Sequence, residues 1–319
     1  MKLLTVSANP HVRDRATTQS IMLDVIIALV PALVASILLF GVDALLVVLV
    51  CVAVAVLAEY IWEKAVKRPV TISDLSAVVT GVLLAYCLPS TIPLWQAALG
   101  SIFAIIVVKQ FFGGIGCNFA NPAATARIML FLAFSSEMAS FTYDGVSTAT
   151  PLALMGQSAE AASSATGEAV QQLPGLLDMF LGRHGGCLGE VCALALLIGG
   201  IYLIARRVIS WHIPVVYLVT VAVFSLLVGR DPLYDLLSGG LMLGAFFMAT
   251  DYSTSPMTVL GKVIYAVIVG LLTMTIRVWG SYPEGVSFAI LLGNILTPHI
   301  DRLTRHKPLG VAKKGGAKA

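Results

Sequence analysis

Long apolar runs separated by short polar breaks dominate the chain. Ile21–Gly41, Ala44–Trp62, Ile213–Gly229 and Ile264–Ile276 are apolar along most of their length. Ala193–Ala205 and Val286–Pro298 follow the same pattern. A bilayer core needs about 20 apolar residues per helix, and fewer where a helix is broken or re-entrant. These runs therefore predict membrane-spanning helices. Between Leu75 and Phe134 the pattern is interrupted. Leu75–Leu88 ends at a Pro-Ser-Thr-Ile-Pro break, Leu94–Val108 runs to a Gly-rich turn, and Asn118–Phe134 follows. Leu236–Ala249 is short and leads into the polar stretch Thr250–Thr258. About ten membrane segments result.

Composition agrees. Of 319 residues, 58% are hydrophobic and 12% charged, with a mean hydropathy of +0.92. A soluble domain carries about 25% charge, so half that amount excludes a cytosolic enzyme and a disordered chain. A net charge of +3 gives no reason to expect a nucleic-acid partner. Cys51, Cys87, Cys117, Cys187 and Cys192 show no metal-ligand spacing and no disulfide framework. No pair of histidines has ligand spacing, so no metal site is expected. Residues 1–19 lack the apolar core and cleavage site of a signal peptide.

The few charges give orientation. Lys2, Arg13 and Arg15 precede the first span; Lys64, Lys67 and Arg68 follow the second; Arg206 and Arg207 follow the sixth; six more cations lie beyond Asp301. Cations mark the cytoplasmic side. Ser136–Glu190 holds one cation, Arg183, among six acidic residues, which puts it outside. Both termini are then cytoplasmic and the span number is even. Ten spans divided five and five have the parity of an inverted repeat. An offset of 163 residues carries Gly81 onto Gly244 and Ser90-Thr91-Ile92-Pro93 onto Ser253-Thr254-Ser255-Pro256. The expected fold is an all-α polytopic membrane protein: about ten helices in a five-plus-five inverted repeat with broken helices. Its parts are a cytoplasmic segment (1–20), a first repeat (21–135), an extracytoplasmic loop (136–190), a second repeat (191–301) and a basic cytoplasmic tail (302–319).

Charges inside the spans are costly and face a bundle interior or a cavity. Asp24 and Asp251 read either as ion-pathway residues or as structural acids. Lys109 and Arg277 read as cations snorkelling to an interface. Arg127 has two open partners, a phosphate or a carboxylate. Glu59, near a helix end, needs no special role.

Several motifs resemble one family. In the outer segment, Asp144-Gly145-Val146-Ser147-Thr148-Ala149-Thr150-Pro151 is similar to the recognition sequence of the transferase that esterifies FMN phosphate to a threonine. That resemblance makes Thr150 the acceptor, with Asp144 and Ser147 engaging the transferase and Ala149 leaving room. Ser7–His11 (SANPH), the segment Gly113–Ala123 (GGIGCNFANPA), Gly189-Glu190, Phe246–Asp251 (FFMATD) and Glu284–Asn294 (EGVSFAILLGN) extend the match to residue 301. Together they resemble the NqrB/RnfD family, and its RnfD branch in particular. The resemblance implies a membrane subunit of an ion-translocating ferredoxin:NAD oxidoreductase in the bacterial or archaeal cytoplasmic membrane. It implies covalent FMN on Thr150, a noncovalent riboflavin near the cytoplasmic side, and coupling to Na⁺ or H⁺. The implied partners are the other Rnf subunits (A, B, C, E and G types), the flavin transferase and the bilayer. Asn118, Asn121 and Arg127 are candidate pocket residues. From residues alone, a small-solute channel or secondary transporter without redox activity is the alternative, since broken helices and inverted parity suit it equally.

Overall fold

The computed structural model describes residues 16–143, 146–148, 150–155, 174–280 and 284–305. The regular elements of the described residues are helices apart from one small hairpin, β1 (Thr142–Tyr143) against β2 (Val146–Ser147), antiparallel with Thr142 opposite Ser147. The principal helices are α1 (Thr18–Phe40), α2 (Val42–Ala65), α3 (Ser76–Tyr86), α4 (Leu94–Ile102, continuing as π-helix over Phe103–Gln110) and α5 (Pro122–Ala133). They continue as α6 (Ala193–Ala205), α7 (His212–Val228), α8 (Leu241–Leu243, continuing as π-helix over Gly244–Met248), α9 (Val259–Trp279) and α10 (Val286–Thr304). Helices α1, α2 and α9 are long and apolar enough to cross a membrane, and five shorter apolar helices accompany them.

The ends follow local chemistry. Thr17 caps α1 in a reciprocal capping box with Ser20. Asn121 caps α5 by accepting from the Ala123 and Ala124 N–H groups at 3.0 and 3.2 Å, and Pro122 takes the first helical position. Gly229 ends α7 in the left-handed conformation. The run expected over Leu236–Ala249 is two pieces. Pro232–Leu237 is a separate short helix, and Gly239 and Gly240, at φ of 62° and 66°, turn the chain into α8.

Helix α1 packs on α6, α2 on α3 and α4, α7 on α9, and α10 on both α9 and α5. Glycine permits two of these approaches. A Cβ on Gly81 would lie 2.8 Å from the Val52 Cα, and one on Gly199 would overlap the Ala28 carbonyl. Outward faces carry exposed Leu38, Leu227, Leu303 and many other large aliphatics. That surface suits hydrocarbon rather than water.

The short helices end inside the bundle, and other segments complete their hydrogen bonds. Leu188 N–H donates to the Leu88 carbonyl at 2.9 Å, and Gly189 N–H to the Tyr86 carbonyl at 3.0 Å. A side chain at residue 189 would overlap the Tyr86 ring, so only glycine brings this backbone close enough. At the end of α8, Asn121 Nδ2 donates to the Met248 carbonyl at 3.2 Å, and Thr297 Oγ1 to the Thr254 carbonyl at 2.8 Å.

Two cations depart from the sequence expectation. Lys109 and Arg277 do not snorkel; both are buried. Arg277 donates to the carbonyls of Asp235 (2.6 Å) and Ser238 (2.9 Å), tying α9 to the turn before α8. Arg127 resolves toward carboxylates. It meets Glu190 at 2.7 Å, Glu284, and Ser287 Oγ at 3.2 Å, so α5 holds the end of the outer segment and the start of α10 together. Asp24 pairs with Arg206 at 3.2 Å and accepts from Tyr202 at 3.0 Å, joining α1 to α6.

Removing one member of a buried ion pair strands the other and costs about 3–5 kcal/mol. Arg127→Met is therefore expected to lower the thermal midpoint of the detergent-solubilised protein strongly. Adding Glu190→Gln and Glu284→Gln to it is expected to recover part of the loss. Equal midpoints for the single and triple variants would show that Arg127 is not held by these carboxylates.

Candidate functional site

A cavity of about 390 Å³ lies among α1, α3, α5, α6 and α8. Thr18, at the start of α1, and Leu203, near the end of α6, lie on its wall. It thus lies toward the end of the bundle that carries Arg206 and Arg207. Phe246 and Phe247 supply flat apolar surface. Thr80, Asn118, Asn121, Asp251 and Ser253 supply polar atoms.

Its rim is the Gly-rich turn. Gly113, Gly114 and Gly116 adopt φ of 124°, 96° and 82°, a region that side chains resist. This turn reverses the chain between α4 and α5 and brings Asn118 to the cavity. Asn118 Oδ1 is buried and has no hydrogen-bond partner. An orphaned acceptor of that kind calls for a donor from a bound molecule or water. Asp251 Oδ2 is satisfied, accepting from Ser253 Oγ at 2.9 Å and Thr254 Oγ1 at 3.2 Å.

In the wall, Lys109 Nζ donates to Glu59 Oε1 and to Ser76 Oγ, each at 2.6 Å. Gln110 Nε2 donates to the same Glu59 oxygen at 2.7 Å. Glu59 is fully buried and Lys109 is 2% exposed. Glu59 is thus far from the idle helix-end residue the sequence suggested. The signal for the pair was there: two opposite charges in apolar runs, each expensive alone, favour finding one another.

On the other side of the bundle, Thr150 precedes a short helix over residues 151–155. Its Oγ1 accepts from the Ala153 N–H at 3.3 Å. Thr150 is 7% exposed, not the open loop hydroxyl expected from sequence. The burial follows from packing: Leu152 sits against Gly239, where any side chain would overlap it. Nearby, Thr148 Oγ1 is buried without a partner, with Gly185 pressed against it. Beside Gly185, burial lowers the His184 pKa to about 4, which keeps that ring neutral.

The other sequence candidates are placed as follows. Asn118 and Asn121 share the cavity; Arg127 stands apart from it in the Glu190–Glu284 cluster. Ser147 lies on β2. Asp144 and Ala149 fall outside the described residues. All five cysteines are free. Among the described residues, Cys187, Glu190 and Glu284 group closely enough to hold a metal ion, but Arg127 already occupies the carboxylates.

The description "NQR2, RnfD, RnfE family" matches residues 5–310. The chain is 52% identical to the D-type subunit of the Na⁺-translocating ferredoxin:NAD⁺ oxidoreductase complex of Acetobacterium woodii, covering 99% of this chain and 98% of that protein. It is 40% identical to the D-type subunit of the proton-translocating ferredoxin:NAD⁺ oxidoreductase complex of Clostridium ljungdahlii, covering 98% and 97%. It is 38% identical to the D-type subunit of the ion-translocating oxidoreductase complex of Stutzerimonas stutzeri, covering 94% of each. The chain belongs to the NQR2, RnfD, RnfE family.

Proposed function

We infer that this chain is the D-type membrane subunit of an ion-translocating ferredoxin:NAD oxidoreductase complex, carrying flavin on both sides of the bundle. The full-length similarity to three D-type subunits supports the assignment to such a complex. The other subunits of the complex and the bilayer are then its partners. The names of the relatives differ in the coupled ion, Na⁺ in one and protons in another, so the shared frame serves either. The same residue offset that relates Gly81 to Gly244 carries α2 through α5 onto α7 through α10 in order. This supports ten segments in a five-plus-five inverted repeat with the termini cytoplasmic.

Thr150 is the proposed FMN acceptor, on the outer side. Its hydroxyl accepts one hydrogen bond from the backbone, and among the described residues its own hydrogen has no acceptor. The oxygen is therefore available to a phosphoryl group once the short helix over 151–155 lifts from Gly239. Burial of Thr150 implies that the transferase acts before this helix docks, or on an opened form. The cavity is the proposed place of a noncovalent riboflavin. Its volume lies within the range of small-molecule sites, about 300–1,000 Å³. The orphaned Asn118 Oδ1 fits the imide N–H of an isoalloxazine, and Phe246 and Phe247 offer it flat apolar surface. Bound flavin supplies the electron chemistry, while the chain positions it and tunes its surroundings.

The observation that carries this reading is the motif ending at Thr150 within a chain that matches D-type subunits over its length. Coexpressed with the transferase, the wild-type protein is expected to stay fluorescent after denaturing electrophoresis and to gain the mass of a flavin phosphate. Thr150→Ala is expected to lose both. Wild-type protein without covalent flavin would overturn the assignment. Asn118→Leu is expected to leave covalent flavin intact and to weaken noncovalent flavin binding about ten-fold, the equivalent of about 1.4 kcal/mol. Flavin released by acid from the purified protein measures this. Unchanged release on dilution would remove Asn118 from the site.

A further inference from the structure

Among the described residues lining the cavity, Lys109 is the only cation and Asp251 the only carboxylate. An ammonium has three N–H donors. Lys109 commits two, to Glu59 and Ser76, and the third has no partner among the described residues. Ser76 Oγ donates onward to Asp74 Oδ1 at 2.6 Å, so it receives the Lys109 hydrogen as an acceptor and stays in place. Glu59 is under-satisfied in turn. Its Oε1 takes both Lys109 and Gln110, while its Oε2 is buried without a partner. Lys109 and Gln110 lie in the π-helical turn of α4, where adjacent side chains both reach Glu59. Turns of this type recur at functional sites.

We propose that Lys109, held at the cavity wall by Glu59, sets the redox potential of the flavin bound there. This rests on the reading that the cavity takes a flavin. The third Lys109 N–H would be left to donate to the polar edge of a bound ring, and the ammonium would favour the form of the ligand that carries negative charge. Reduction of a neutral ring by two electrons, delivered by the complex's own electron donor, with uptake of one proton leaves a charge of −1. Lys109 transfers neither proton nor electron; its ammonium lowers the free energy of the anion relative to the neutral ring. Glu59 opposes this. Its carboxylate fixes Lys109 in position and offsets part of the field. Lys109 is thus a positioning and tuning residue, and the two members of the pair predict effects of opposite sign.

The test is spectroelectrochemical titration of the noncovalent flavin in the purified complex, in a Thr150→Ala background that removes the covalent signal. Flavin released on denaturation is quantified for every variant. Lys109→Met is expected to lower the midpoint potential, the reduced form losing at least ten-fold in affinity relative to the oxidised form. Lys109→Arg is expected to restore most of the shift. Glu59→Gln is expected to raise the potential. A merely structural role would not give opposite signs. Full flavin content with an unchanged potential in Lys109→Met overturns the proposal, as do shifts of the same sign in Lys109→Met and Glu59→Gln. Should Lys109→Met fail to assemble, Glu59→Gln with full flavin and no rise in potential overturns it. If the wild-type complex releases no flavin, the reading of the cavity fails first, and the role of Lys109 falls with it.

Discussion

Inside hydrocarbon no water completes a backbone hydrogen bond, and each unsatisfied group costs several kcal/mol. The architecture answers this constraint. Helices α3 and α8 are too short to leave the bundle, so their final carbonyls need donors from elsewhere. The backbone of Leu188 and Gly189 serves the first. The Asn121 and Thr297 side chains serve the second half. The Asn121 contact crosses between the halves of the chain. Together these contacts keep open the space between broken helices that becomes the cavity, and they lock the outer segment onto the bundle. A residue such as Asn121 therefore has two duties: it caps α5, and it satisfies α8 at the cavity wall.

The scarce charges are organised by the same cost. Arg127 with Glu190 and Glu284, Lys109 with Glu59, and Arg277 with backbone carbonyls each join elements distant in sequence. Each is buried, where a lone ion would be expensive. Of these groups, Lys109 alone borders the large cavity, which separates a tuning role from the bracing roles of the others. The two proposed flavin positions then lie on opposite sides, one beside the Gly239–Gly240 turn and one beside the Gly113–Gly116 turn.

Much of this was legible in the sequence, for physical reasons that can be named. Runs such as Ala193–Ala205 reproduce their helix because apolar length and flanking polarity are local properties. The break after Leu88 was visible from its prolines. Asn118 and Asn121 line one cavity, since four residues around one turn cannot separate far. Arg127 was not separable from them, because it lies further along α5 and its partners come from residues 190 and 284. Pairing across 50 positions or more leaves no periodic trace, so Glu59 looked idle and Lys109 looked like an interface cation. The burial of Thr150 was equally hidden: it depends on Leu152 meeting Gly239.

The proposed function is of two flavins held differently by one chain. The most direct measurement is mass-spectrometric mapping of the purified protein after denaturation and proteolysis, with the released flavin identified in parallel. FMN is expected to stay on the peptide that contains Thr150, with a comparable amount of phosphate-free flavin in the released fraction. Peptides carrying no flavin, together with no flavin released, would contradict this picture.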